Sequence, residues 1–364
     1  VIEQYTITTT PKYNFPQKPM DTTLPQRLLE LSIHSLKHIQ NQQIQPNQQP
    51  TQQNNKTDAQ IQASSLSLNL KPTLIPIKPK TQEILVAAID TSSIKIGETK
   101  TGALIAIRGA TIWKQNKRYR YIRLGPFIFH ITEENKTEVY NTLQKAYLGQ
   151  QNEQNHNYTP NTAQMPTRLA TLLERWLQLT TAKTMSNSLI LLDGSLTAGT
   201  PDTPTNVMRE ILENARKMGN AILAFSKMTT MRLNGNLITD ILPKITPPFM
   251  LELSGLRAKP PLISLGDIYV ARLANGNYAF RLDIDRELPT QKKVEAVERL
   301  VGNDLLAQGY PETLRLAHIL CTFTANEVIA MQHFITRRYG LKIINRPDMH
   351  KLLFGPFGKG ETNA

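Results

Sequence analysis

Two short apolar runs that each stop at an aspartate constrain this chain more than anything else in it. Ile84-Leu85-Val86-Ala87-Ala88-Ile89 leads into Asp90, and Leu189-Ile190-Leu191-Leu192 leads into Asp193, which Gly194-Ser195 follow. Unbroken apolar runs of this length read as strands buried on both faces, the habit of parallel sheets. The carboxyl ends of such strands are where open α/β sheets bind ligands. Hard oxygen donors collected there suit Mg²⁺ or Mn²⁺, ions that assist phosphodiester chemistry. Taken singly, each aspartate also fits a plain cap on the loop or helix that follows.

The rest of the composition narrows the classes. A chain of 364 residues is one large domain or two small ones, and 40% apolar content is enough for a real core. The formal net charge of +13 favours a polyanionic partner, with nucleic acid the first candidate, although a basic surface also simply aids solubility. The single cysteine, Cys321, excludes an internal disulfide framework and a Cys-rich zinc site. No apolar stretch reaches the ~18 residues of a membrane span, and no secretory leader pattern is visible. A cytoplasmic protein associated with the nucleoid is expected.

Along the chain, an amphipathic helix is expected over 24–39, closing an amino-terminal extension (1–39). A Gln/Asn-rich linker or long loop follows (40–80), then the main domain (81–345) with a polar insertion at 150–164, and a carboxyl-terminal tail (346–364). Within the main domain the patterning predicts a strand over 84–90, a hairpin of 103–113 with 119–131, and a helix over 167–182. It then predicts a strand–helix–strand unit at 188–193, 205–218 and 220–226. Asn275-Gly276-Asn277 joins two further strands, 267–274 and 278–285. Helices are expected over 290–307, 312–321 and 325–338. This order of elements matches a ribonuclease H-like mixed sheet flanked by helices.

Several other side chains are candidates for chemistry. Glu174 falls just beyond the edge of the apolar stripe of its helix, so it would point along the sheet or pair with a nearby cation; Glu133 and Glu134 are rival third acids. His318 shares a helical face with Leu314 and Cys321, which fits a core histidine as well as a metal ligand or proton carrier. Lys227 ends the third parallel strand, where it could neutralise a phosphate or simply be an exposed loop lysine. Between Lys100 and Thr132 there are seven cations and no carboxylate. Arg108, Lys114, Lys117, Arg118, Arg120 and Arg123 are therefore candidate nucleic-acid contacts. Tyr119 and Tyr121 alternate with the arginines, for base stacking or for the core.

Taken together, five motifs resemble the NurA nuclease family: Ala88-Ile89-Asp90-Thr91-Ser92-Ser93, Leu173-Glu174-Arg175, Leu191-Leu192-Asp193-Gly194-Ser195-Leu196, Phe225-Ser226-Lys227, and Gly309-Tyr310-Pro311 running to Ala317-His318. Each is short, but all five occur in order. The resemblance, spanning about 84–345, implies a ribonuclease H-like fold and a Mn²⁺-dependent deoxyribonuclease, with Mg²⁺ as a second choice and two ions expected. It implies Asp90, Glu174, Asp193 and His318 as metal-binding and catalytic positions, with Tyr310 beside them and Lys227 nearby. It also implies a homodimer acting on single-stranded DNA and duplex ends, with 5′–3′ exonuclease and single-strand endonuclease activity. The implied setting is end resection for recombinational repair, beside a HerA-type hexameric ATPase. A non-catalytic DNA-binding subunit of a motor, or a resolvase or transposase, are the alternatives.

Overall fold

The computed structural model describes residues 23–37, 39–46, 72–148, 160–229, 231–233, 236–240, 242–243, 245–253, 260–276 and 278–343. Residues 1–22, 47–71, most of the insertion at 150–164 and the tail 346–364 lie outside the described residues.

An eleven-stranded mixed sheet organises them. Its centre is a long antiparallel meander of β3 (Val86–Thr99), β4 (Gly102–Gln115) and β5 (Arg118–Thr132). β6 (Leu189–Asp193) pairs in parallel with the first half of β3, and β7 (Ala221–Ser226) pairs in parallel with β6. Beyond β7 lie β10 (Phe280–Asp285), β9 (Gly266–Arg272), β8 (Phe249–Glu252) and the edge strand β2 (Thr73–Pro76), all antiparallel to their neighbours. β1 (Gln43–Pro46) pairs with the far end of β3 and with β11 (Lys342–Ile343).

Side-chain alternation sends the core to both faces. Ile89, Ile190 and Leu192 pack under α1 (Thr23–Lys37), α2 (Lys136–Leu148), α3 (Met165–Thr184) and α4 (Thr205–Lys217). Val86, Ala88, Leu189 and Leu191 pack under α5 (Thr290–Asn303) and α6 (Glu312–Cys321). Because both faces are covered, the parallel strands carry no polar alternation until their aspartates. Each buried Leu or Ile contributes on the order of 1.5–3 kcal/mol. α7 (Ala325–Tyr339) is set by a reciprocal capping box between Thr324 and Glu327 and ends at Gly340, whose φ of 64° suits glycine.

The sheet forks on one edge of β3. β6 accompanies it from Val86 to Ile89, and β1 accompanies it from Gly97 to Thr99. Among the described residues no strand pairs with Asp90–Ile96 on that edge, although the Gln332 amide donates to the Ile96 carbonyl at 2.8 Å. The sequence predicts that this strand ends at Asp90; instead it continues to Thr99. Its polar continuation Thr91-Ser92-Ser93 stays extended because β4 supplies an unbroken partner, Asp90 facing Ala110 and Ser93 facing Ile107.

Other expectations also change. Within 40–80, Gln43–Pro46 and Thr73–Pro76 are strands of the main sheet rather than linker or loop. Ile44 is buried, and Ile75 packs beside the α5 core. The helix expected over 290–307 stops at Asn303, since Leu306-Ala307 turn back to pair with Tyr310-Pro311. α2 and β8 had no counterpart in the expected order. No helix of the described residues is long and apolar enough to cross a membrane.

Gly109 marks the closest approach of α3 to the sheet. A Cβ there would sit 2.7 Å from Leu177 Cδ1 and 3.1 Å from Leu173 Cδ2. Gly109→Val must therefore push α3, and Glu174 with it, off β4. We expect a loss of about 1–3 kcal/mol in denaturant unfolding; an unchanged midpoint would show that the contact is not tight.

Candidate functional site

Asp90 and Asp193 are the residues that follow the Ile89–Leu192 register pair of β3 and β6. Adjacent strands lie about 4.8 Å apart, so the two carboxylates leave the sheet side by side. Both belong to the register rows that face α6 and α5. Asp90 is fully buried and Asp193 half-buried. Two carboxylates this close repel unless positive charge or donors intervene. Both are supplied here. The Thr91 backbone N–H donates to Asp90 Oδ1 at 2.8 Å, and His318 Nδ1 lies 2.7 Å from Asp90 Oδ2. Lys227 Nζ donates to Asp193 Oδ2 at 2.9 Å.

His318 reaches Asp90 because α6 packs across β3 and β4, with Leu314, Ala317 and Cys321 as its buried stripe. The expected shared face of His318 with Leu314 and Cys321 is thus the face that meets the sheet. Tyr310, just ahead of α6, is held edge-on by Phe225 of β7 (centroids 6.1 Å apart) and Phe280 of β10 (5.3 Å). Lys227 Nζ lies 5.6 Å from the centre of its ring. Burial pushes the Tyr310 phenol well above the ordinary range, and the carboxylates of Asp193 and Asp90 add to the rise. It therefore keeps its proton at neutral pH, and its hydroxyl finds no hydrogen-bond partner among the described residues.

Glu174 arrives from the other face. Thr91 points to the α3 side, and its hydroxyl donates to Glu174 Oε2 at 3.3 Å. Gln178, one turn on, donates to Glu174 Oε1 at 3.2 Å; Arg175 Nη1 donates to Gln178 Oε1 at 2.6 Å and its Nε to Thr203 at 3.1 Å. Glu174 is buried, deeper than its place at the edge of the apolar stripe implied. Its rivals lie elsewhere: Glu133 and Glu134 are exposed, and Glu133 pairs with Lys136 and Thr162.

Sequence reasoning missed the partners. Gln178 was findable, four residues from Glu174 on one helix. Cys321 was seen only as core, yet Asp90, His318 and Cys321 present ligand atoms all within 4.8 Å of one another. Gly194, with φ of 111°, turns the chain immediately after Asp193, and its N–H donates to the Phe225 carbonyl at 2.8 Å.

The cations of the hairpin divide. Arg108 is buried, donates to the Thr322 carbonyl at 3.0 Å, pairs with Glu327 at 2.9 Å and lies 4.3 Å from the centre of the Phe323 ring. Burial lowers its pKa, and Glu327 opposes that. Arg123 shares Glu327 at 3.1 Å. Lys114 donates to the Asn303 carbonyl at 2.7 Å and stands beside Asp304 and Tyr119. These three, expected as nucleic-acid contacts, instead tie the hairpin to α5 and α7; an arginine on the inward row finds an acid there rather than a phosphate. Tyr119 packs inward as well, its phenol pushed up to about 12 by burial and then by Asp304, whereas Tyr121 is exposed. Lys117 and Arg118 are exposed at the tip and Arg120 is half-exposed.

A mixed sheet carrying two adjacent strand-end carboxylates, an imidazole on one of them and a lysine on the other defines a class of α/β proteins built around an anionic site. The NurA domain model matches residues 84–320, and the chain belongs to that family. No curated protein matches it. The NurA nuclease from Sulfolobus solfataricus aligns over 73% of this chain and 88% of its own, at 19% identity and a TM-score of 0.47. NurA bound to dAMP and manganese aligns over 74% and 90%, at 11% identity and a TM-score of 0.42.

Arg108→Ala leaves Glu327 and the Thr322 carbonyl without their buried donor. We expect a stability loss of about 3 kcal/mol in thermal unfolding, with affinity for DNA unchanged in the folded protein. A variant of normal stability and weakened DNA binding would reverse that assignment.

Proposed function

We propose that this protein is a metal-dependent DNA nuclease with a ribonuclease H-like core. The observation that carries the reading is the register that sets Asp90 beside Asp193, with His318 on the first and Lys227 on the second. Membership of the NurA family supports it, as does the strand order β5–β4–β3–β6–β7, with its antiparallel meander followed by two parallel strands.

The donor set fits a divalent cation. Three carboxylates and an imidazole are hard oxygen and nitrogen donors of the kind such ions take, and Asp90 and His318 already present ligand atoms within 4.8 Å of one another. Asp90, Glu174, Asp193 and His318 would hold the ions. Carboxylates with an imidazole suit Mn²⁺, with Mg²⁺ the harder alternative. Two such ions, when bound, would polarise the scissile phosphate and activate water. Glu174 stands on the α3 face, bound to Thr91, the residue next to Asp90 on β3. Lys227, released from Asp193, would neutralise a phosphate oxygen, and Tyr310 would donate a hydrogen bond to it. His318 would take up or deliver a proton at its imidazole.

The remaining expectations belong to this proposal. DNA, as single strands or duplex ends, is the substrate, cut by 5′–3′ exonuclease and single-strand endonuclease activity. The protein works as a homodimer beside a HerA-type hexameric ATPase in end resection, in the cytoplasm at the nucleoid. The domain runs over 81–345.

Asp90→Ala and Asp193→Ala should each lower Mn²⁺-dependent cutting of single-stranded DNA by more than about a hundredfold while binding persists. Normal cutting by either variant would refute the site, and chelator-resistant cutting by the natural protein would refute the metal. Lys117→Ala with Arg118→Ala should weaken DNA binding irrespective of sequence and reduce the salt slope by roughly one to two. An unaltered slope would remove the hairpin tip from the interface.

A further inference from the structure

Cys321 is the one cysteine of the chain and has no part in the chemistry above. It is buried, one turn after His318, and its Sγ donates to the His318 carbonyl at 3.3 Å. With Asp90 Oδ2 and the His318 imidazole it completes an oxygen, nitrogen and sulfur set whose atoms lie within 4.8 Å of one another. Beside it stands a second unusual group. Ser92 follows Asp90 on the same face of β3, is 2% exposed, and its hydroxyl has no hydrogen-bond partner among the described residues. Its register partner is Arg108, which donates to the carbonyl of Thr322, the residue after Cys321. A buried hydroxyl without a partner costs about 1–3 kcal/mol, an expense that a coordinated ion or its water would relieve.

The chemistry of the three donors separates cations by softness. Thiolate ligands select Zn²⁺ and its thiophilic relatives, whereas Mn²⁺ and Mg²⁺ prefer carboxylate and water. A carboxylate, an imidazole and a thiolate are three of the four ligands of a tetrahedral zinc site, which leaves the fourth for water. We propose that Asp90, His318 and Cys321 form a Zn²⁺-selective site that shares Asp90 and His318 with the hard-cation site. Binding releases the thiol proton to solvent, and Zn²⁺ and Mn²⁺ then compete for the same carboxylate and imidazole. The inference rests on the proposed function only in that competition; the thiolate site itself is read without DNA.

Co²⁺ serves as the spectroscopic stand-in for Zn²⁺. Titrated into the full-length protein, it should produce a thiolate-to-cobalt charge-transfer band in the near ultraviolet. With one cysteine in the chain, that band has one possible source. Cys321→Ser and Cys321→Ala should each abolish the band and weaken Zn²⁺ binding, measured against a chromophoric chelator, by about tenfold or more. Zn²⁺ should displace the cobalt signal at concentrations where Mn²⁺ does not. A natural protein without the band, or variants that bind Zn²⁺ as tightly as it does, would overturn the proposal. Protein that cuts DNA with Mn²⁺ but shows no band keeps the nuclease reading and loses the zinc site. Protein that shows the band but never cuts does the reverse.

Discussion

The parallel pairing of β3 with β6, and its end after Ile89 and Leu192, is the constraint on which the rest of the molecule depends. It delivers two carboxylates to one place on one face, where their mutual repulsion must be offset. Much of the surrounding architecture does so. α6 is laid across β3 and β4, which brings His318 to Asp90, and β7 runs beside β6, which brings Lys227 to Asp193. Phe225 and Phe280 fix Tyr310 between these pairs, so that a donor rather than an anion stands beside the acids.

Much of this was legible in the sequence because the signals were local. Continuous apolar runs announced β6 and β7, and two strand-like runs joined by Lys114-Gln115-Asn116-Lys117 announced the hairpin. What stayed hidden depends on partners remote along the chain. Thr91-Ser92-Ser93 reads as a loop, yet β4 holds it extended. Gln43–Pro46 lies in a polar tract with one buried side chain, Ile44, and becomes a strand only because Gly97–Thr99 and Lys342–Ile343 offer it partners. The acids and His318 could be named from the sequence, but the hydrogen bonds that orient Glu174 and the approach of Cys321 to Asp90 arise only when α3 and α6 dock from opposite sides.

The basic charge of the hairpin shows the limit of reasoning from composition. A strand alternates its side chains, so half of a run of cations must face inward wherever a helix covers the sheet. Arg108, Arg123 and Lys114 meet Glu327, Asp304 and backbone carbonyls that α5 and α7 place there. Their charges are spent on holding the helical layer, and α7 in turn is anchored by the same Glu327 that closes its capping box. Only the tip, beyond the reach of those helices, leaves Lys117 and Arg118 to solvent.

The two aspartates are not equivalent in burial or in partner. Asp193 is half-buried, and its partner is a lysine on a flexible stem that can swing into solvent at small cost. Asp90 is 1% exposed, so its charge cannot fall back on water when a partner leaves. The Thr91 N–H and the His318 imidazole that meet it are both fixed by the fold. A cation held by both acids would have to displace Lys227 from Asp193 and His318 from Asp90. An imidazole can release the carboxylate and still offer a ring nitrogen as a ligand, which suits this position better than a second lysine.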